Sequence, residues 1–269
     1  MSTSNINQDF LADAKAFLLD MDGTFYLGES LLPGALGLLA LFNQRGLPFS
    51  FLTNNTSRSK RDYISKLIGL GLREDDARVF TAGDATIAYL KKHHAGKKVF
   101  LLGTPSLAES FATGGITLCE TSPDLIVLGY DTSLTYARLN AFCRFARLGL
   151  PYIATHPDVN CPTPEGPAPD IGAMMSLVEA STGRKADVII GKPNPGIVEA
   201  LAGEWGLTAR DMVMVGDRLY TDIALGKSAG VRTVLVLSGE TKRADLEQTE
   251  FQPDLVCEDL AELAAWLRW

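Results

Sequence analysis

Short apolar runs that stop at acidic or small polar residues recur along this 269-residue chain, and helix-like stretches fill the intervals between them. A strand buried on both faces of a parallel sheet reads as such a run rather than as an alternation of apolar and polar residues. The pattern predicts an α/β fold with a mostly parallel sheet covered by helices. The first run, Ala16 to Leu19, ends in Asp20-Met21-Asp22-Gly23-Thr24. Open α/β sheets carry their chemistry just beyond the carboxyl ends of the strands, so the two aspartates stand where a site is expected. On extended backbone, residues i and i+2 point to the same side, and both carboxylates can face one bound group. Asp and Gly also make plain turns. A turn does not account for two acids crowded at a strand end, where like charges repel unless a cation compensates them.

The remaining runs follow the same rhythm. Pro33 suits a first helical position, and the helix it opens is expected to stop near Gly46. A strand from Pro48 to Leu52 then ends in Thr53-Asn54-Asn55-Thr56-Ser57, again small polar residues at a carboxyl end. Ser59 to Ile68 reads as a surface helix, Val79 to Thr81 as a short strand, and Asp84 to His94 as a helix. Strands near Val99 to Leu102, Leu125 to Leu128 and Tyr152 to Ala154 suggest a smaller α/β domain. Asp187 to Ile190, Met212 to Val215 and Thr233 to Val236 read as strands of the larger sheet again, and Ala261 to Trp269 as an amphipathic helix.

Composition narrows the function classes. The formal net charge of −7 lacks the basic footprint that nucleic acid or an anionic membrane requires. Four widely spaced cysteines without a Cys-x-x-Cys pair fit reduced thiols in a cytoplasm. The polar start, Met1 to Asp9, has no secretory pattern, and the apolar segment Leu31 to Phe42 is too short and too rich in Pro and Gly to span a bilayer. A soluble, cytoplasmic protein is expected. The basic cluster Lys91 to Lys98 is read as a solvated helix end capped by Gly96.

Four segments end strands or open helices with residues suited to phosphate and a divalent cation: Asp20-Met-Asp22-Gly-Thr, Thr53-Asn54-Asn55, Gly191-Lys192-Pro193 and Gly216-Asp217-Arg-Leu-Tyr-Thr-Asp222. Their order and spacing resemble the four motifs of the haloacid dehalogenase (HAD) superfamily, and their detailed forms resemble its NagD-like, class IIA branch. The resemblance implies a Rossmann-like core with helices on both faces of its sheet, and a phosphatase that uses Mg2+. Asp20 would attack phosphorus to form an aspartyl-phosphate, splitting one displacement into two. Asp22 would protonate the departing alkoxide and then deprotonate the attacking water, and its backbone carbonyl would ligate the metal. Thr53 and the Asn54 or Asn55 amide would hold phosphoryl oxygens, and Lys192 would offset their charge. Asp217 is expected to bind magnesium together with Asp20 and Asp22. Asp222, in the first turn of a helix, would sit one layer out, on a metal-bound water or on Lys192.

In the resembled branch a cap domain is inserted between the second and third motifs, here more than a hundred residues apart. Residues 1–82 and 184–269 would form the core and residues 83–183 the α/β cap that sets specificity. The segment Thr155 to Asp170 contains five prolines, which would stiffen a loop placed over substrate. His156, Asp158 and Cys161 within it lack an established ligand spacing, so the segment is read as a rigid surface loop with polar tips rather than a transition-metal site. The expected substrates are small phosphorylated metabolites of the nucleoside monophosphate, sugar phosphate, phosphoglycolate or pyridoxal phosphate type, with p-nitrophenyl phosphate as a substrate in vitro. A homodimer through the cap is a further implication of the family. Alternatives are phosphoryl transfer to a second metabolite from the same aspartyl-phosphate, and a phospho-accepting signalling module. Receiver modules are about half this size and lack an acid two residues after their phosphorylated aspartate, so Asp22 argues against the second alternative.

Overall fold

In the computed structural model of the chain, residues 10–163 and 166–267 are described. The polar start, residues 164–165 of the proline-rich segment and the last two residues of the expected carboxy-terminal helix lie outside them. The elements follow in the order β1 (Ala16–Asp20), β2 (Tyr26–Leu27), β3 (Ser30–Leu31), α1 (Ala35–Arg45), β4 (Phe49–Thr53), α2 (Lys60–Gly69) and β5 (Val79–Thr81). Next come α3 (Ala82–His93), β6 (Lys98–Leu102), α4 (Pro105–Thr113), β7 (Thr117–Leu118), β8 (Leu125–Leu128), α5 (Tyr136–Arg147) and β9 (Tyr152–Ala154). The chain continues through β10 (Asn160–Thr163), β11 (Gly166–Pro169), α6 (Ile171–Thr182), β12 (Val188–Ile189) and α7 (Gly196–Trp205). It ends with β13 (Met212–Gly216), α8 (Ala224–Ala229), β14 (Arg232–Val236), β15 (Leu255–Cys257) and α9 (Leu260–Trp266).

Two compact units emerge. One holds the described residues of Met1–Thr53, Tyr63–Phe80 and Leu201–Trp269, and the other holds Asn54–Asp62 and Thr81–Ala200. In the first, a six-stranded sheet has the order β15-β14-β13-β1-β4-β5. β1 pairs in parallel with β13 and β4, β13 with β14, and β14 with β15. The apolar runs are continuous because both faces are covered: Phe17, Leu18 and Leu19 are completely buried, as are Val213 to Val215. α1 buries Leu38, Leu39 and Phe42, and Phe42 stacks on Phe17 with ring centroids 4.4 Å apart.

In the second unit a five-stranded sheet has the order β12-β9-β8-β6-β7, with parallel pairings throughout. Its core joins Phe100, Phe142, Phe145 and Tyr152 to Ile126 and Leu128. The expectation that Asp187 to Ile190 returns to the larger sheet is corrected here. Val188 and Ile189 pair with Ile153 and Ala154 of β9, so the run is an edge strand of the smaller sheet. Two-residue strands carry too little sequence to say which sheet they join. The proline-rich segment is not an irregular loop: β10 and β11 form an antiparallel hairpin in which Pro162 faces Pro167. A two-stranded ribbon tolerates prolines because their missing donors fall on its free edges. All four cysteines are free, and no described helix is long and apolar enough to cross a membrane.

Candidate active site

Because β1 and β13 are parallel with Leu19 opposite Val215, their carboxyl ends lie side by side. Asp20 closes β1, and Asp217 follows the last residue of β13. After Asp217 the chain makes one π-helical turn, Leu219–Ile223, which Ile223 N–H closes on Arg218 O at 3.2 Å. Such turns place a side chain where a regular helix would not. Here the turn directs Asp222 inward, completely buried, so that carboxylate oxygens of Asp20, Asp217 and Asp222 all lie within 4.8 Å of one another.

Asp222 lies in the first turn of this π-helical segment rather than of a regular helix, and its carboxylate stands beside those of Asp20 and Asp217. One of its oxygens accepts from Arg218 N–H at 3.2 Å. Asp217 is held from two sides, by Thr24 Oγ1 (3.1 Å) and Glu240 N–H (2.7 Å). The Arg218 guanidinium in turn pairs with Glu240, Nε to Oε2 at 3.0 Å.

Close packing of the two buried acids rests on three glycines. A Cβ on Gly23 would lie 2.4 Å from Asp217 Oδ2, one on Gly239 2.0 Å from the same oxygen, and one on Gly216 2.3 Å from Asp222 Cβ. Gly23 also has φ +90°, which other residues rarely adopt. Burial, reinforced by the adjacent Asp222 charge, pushes the Asp217 carboxyl up to about 6. Three crowded carboxylates, two of them out of water, are the arrangement that a hard cation with oxygen ligands relieves. Asp20, Asp217 and Asp222 therefore fit a divalent metal.

Asp22 lies outside this carboxylate group and is exposed, in a turn where Gly23 N–H donates to Tyr26 O at 2.8 Å. The residues that sequence reasoning missed are Thr24, Gly239 and Glu240. A signal existed for the last two: Ser238-Gly239-Glu240 follows the buried end of β14, another carboxyl-end loop.

Thr53 closes β4 and is nearly buried. Asn54, Asn55 and Lys192 belong to the second unit. The side-chain amides of Asn54 and Asn55 are engaged within that unit. Asn54 Nδ2 donates to Lys192 O (2.8 Å) and to both Asp158 carboxylate oxygens (3.1 and 3.2 Å). Asn55 Nδ2 donates to Cys161 Sγ (3.4 Å), and its Oδ1 accepts from Ser57 N–H and Oγ. Lys192 is itself only 4% exposed.

Of residues 155–170, read as a rigid surface loop with polar tips, Val159, Asn160, Pro167 and Pro169 are exposed, whereas both ends of the segment are buried. His156 is completely buried, with Nε2 3.2 Å from Asp170 Oδ1 and Nδ1 3.0 Å from Thr155 Oγ1. Asp170 caps α6 by accepting from Ile171 N–H at 2.6 Å. Burial raises the Asp158 carboxyl above its ordinary value, against the opposing pull of His156, Asn54 and Lys192. Ligand atoms of His156, Asp158 and Asp170 lie within 4.8 Å of one another, but each residue already has partners in a hydrogen-bonded network.

The motif set, the parallel sheet and the carboxylate group coincide with a known family. A haloacid dehalogenase-like hydrolase model matches residues 17–117, and a HAD-hydrolase-like model matches residues 189–263. The chain belongs to the haloacid dehalogenase-like hydrolases. Its structure is similar to that of a 4-nitrophenylphosphatase from Thermotoga maritima, with TM-score 0.91 and 48% identity over 95% of this chain and 98% of the other. It is similar to NagD from E. coli K-12, with TM-score 0.85 and 30% identity over 93% of this chain and 98% of the other. In sequence it is 32% identical over 248 residues to the 5'-nucleotidase YutF of Bacillus subtilis, covering 92% of this chain and 96% of the relative. Within the family it is a NagD-like phosphatase, a hydrolase of phosphoric monoesters.

Proposed function

We propose that this chain is a magnesium-dependent phosphatase of small phosphorylated metabolites, acting through an aspartyl-phosphate on Asp20. The observation that carries this reading is the Asp20, Asp217 and Asp222 group at the carboxyl ends of β1 and β13, packed against three glycines. Asp20, Asp217, Asp222 and the backbone carbonyl of Asp22 would hold the ion. When bound, Mg2+ supplies the positive charge that lets an anionic nucleophile approach an anionic phosphate.

The chain's own residues then divide the work. An Asp20 oxygen forms a bond to phosphorus as the bond to the leaving oxygen breaks, and Asp22 gives that oxygen a proton. Water attacks the aspartyl-phosphate next, Asp22 takes a proton from it, and phosphate leaves with Asp20 restored. General acid and base steps of this kind contribute about 10²–10⁴-fold. Exposure of Asp22 suits a group that must exchange protons with water between the two steps. The Thr53 hydroxyl and the Lys192 ammonium serve the phosphoryl oxygens in this reading.

Relatives named for 4-nitrophenyl phosphate and for 5'-nucleotides support a small monoester as substrate. We place nucleoside monophosphates, sugar phosphates, phosphoglycolate and pyridoxal phosphate in the candidate set, with the second unit as the cap that selects among them and the cytoplasm as the setting. Purified protein should release phosphate from p-nitrophenyl phosphate with Mg2+ and lose that activity in EDTA or on Asp20→Asn. Turnover undiminished in Asp20→Asn would remove Asp20 as nucleophile. A kcat/KM series over the candidate metabolites identifies the substrate.

A further inference from the structure

The ladder between β9 and β12 does not stop where β12 ends. Ile190 N–H donates to Ala154 O (3.1 Å) as the parallel ladder requires, and Gly191 N–H then donates to Thr155 O (2.8 Å) as the backbone turns out of the strand. At Lys192 the partner changes. Its N–H donates to Asn54 Oδ1 at 2.8 Å, and its C=O accepts from Asn54 Nδ2 at 2.8 Å. The carboxamide thus takes the place of a strand, reading donor and acceptor of a single residue as the chain leaves the sheet.

The orientation of that carboxamide is fixed from its other side. Its second N–H is shared between the two Asp158 oxygens, which turns the nitrogen rather than the oxygen toward Asp158. Both amide hydrogens are then used within the unit, and Asn54 has no side-chain donor left for a ligand. Gly191 makes room for the arrangement, since a Cβ there would lie 2.5 Å from Asn54 Oδ1. Asn54 and Lys192 are 5% and 4% exposed, so water does not compete for these bonds.

The geometry points to Asn54 as a positioning residue that fixes the backbone of Lys192, with Asp158 orienting Asn54 in turn. This rests on the reading that Lys192 serves the phosphoryl group. Lysine is a point charge on a flexible stem, so fixing its backbone restricts where that charge can go. Misplacement of such a group by about 1 Å can cost about 10²-fold in rate.

A double-mutant cycle tests the role. Asn54→Ala should lower kcat by about 10²-fold with little change in KM, and should have no further effect in a Lys192→Ala background. An equal loss in both backgrounds would mean that Asn54 acts independently of Lys192, and the proposal would fail. Hydrogen exchange at the Lys192 amide should quicken in Asn54→Ala, and an unchanged rate would also overturn it. Asn54→Asp sets two carboxylates face to face. Adding Asp158→Asn should restore part of its kcat, because the new amide donates to the new carboxylate, and no recovery would count against the orienting role. Wild-type turnover in Lys192→Ala would refute the assignment of Lys192 itself, whereas an impaired Lys192→Ala with an additive Asn54→Ala would refute only the positioning role.

Discussion

A carboxyl held at about 6, as Asp217 is by burial and by the neighbouring Asp222, binds a cation only by giving up its proton. Magnesium affinity should therefore strengthen as pH rises through about 6, by about tenfold per unit below that value for one proton released. Calorimetric titration at several pH values checks this, and Asp217→Asn should abolish the dependence with the binding. For the metal-free protein the sign is opposite. The folded value lies above the ordinary 3.8, so the native state holds more protons between the two. Stability from this group is complete below about 4 and is lost as pH rises through about 6. Gly23→Ala meets two obstacles at once, a φ of +90° and a Cβ 2.4 Å from Asp217 Oδ2. It should cost about 1–3 kcal/mol in denaturant unfolding and weaken magnesium binding in the same calorimetric assay. Asp20 and Asp217 were legible in the sequence because an acid that closes a buried apolar run is costly to keep there without a cation or a ligand to meet it. The side-chain partners of Asn54 were not, since a carboxamide suits a phosphate and a peptide equally well and only its neighbours decide.

At the scale of elements, the start of α6 joins local structure to the buried network of the second unit. Asp170 accepts from Ile171 N–H and lies 3.2 Å from His156 Nε2. Asp170→Ala removes a helix cap worth about 1 kcal/mol and leaves Nε2 of the buried His156 without its partner, a further cost of about 1–3 kcal/mol. Chemical denaturation should show a loss of roughly 2–4 kcal/mol. Asp170→Asn, which keeps the capping oxygen, should lose less. The central strands of both sheets were readable as apolar runs, as at Ala16 to Leu19 and Leu125 to Leu128. The π-helical turn at Leu219–Ile223 was not, because one extra residue in a turn leaves no periodic mark in a stretch that short. The β10–β11 hairpin was hidden by its prolines, which ordinarily argue against strands.

For the whole molecule, ligand linkage offers a measurement independent of turnover. An ion that binds only the folded state through Asp20, Asp217 and Asp222 should stabilise it by about 2.7 kcal/mol at a hundredfold excess over Kd. Thermal unfolding with and without Mg2+ should show that shift in wild type and in Asp22→Ala, whose side chain lies outside the carboxylate group, but not in Asp217→Asn.

The pairing of β1 with β13 joins Ala16 to Met212, across most of the chain. Synthesis from the amino end therefore delivers Asp20 early and Asp217 and Asp222 only after the second unit has been made. Until then β1 has β4 as its neighbour on one side and nothing on the other. A nascent or truncated chain ending before Asp217 carries Asp20, the nucleophile of the proposed mechanism, without the two carboxylates grouped with it. Closing a contact over so long a loop is also slow compared with forming local structure. The order of strands along the chain thus leaves the group of Asp20, Asp217 and Asp222 incomplete in unfinished copies and makes it one of the last features of the molecule to assemble.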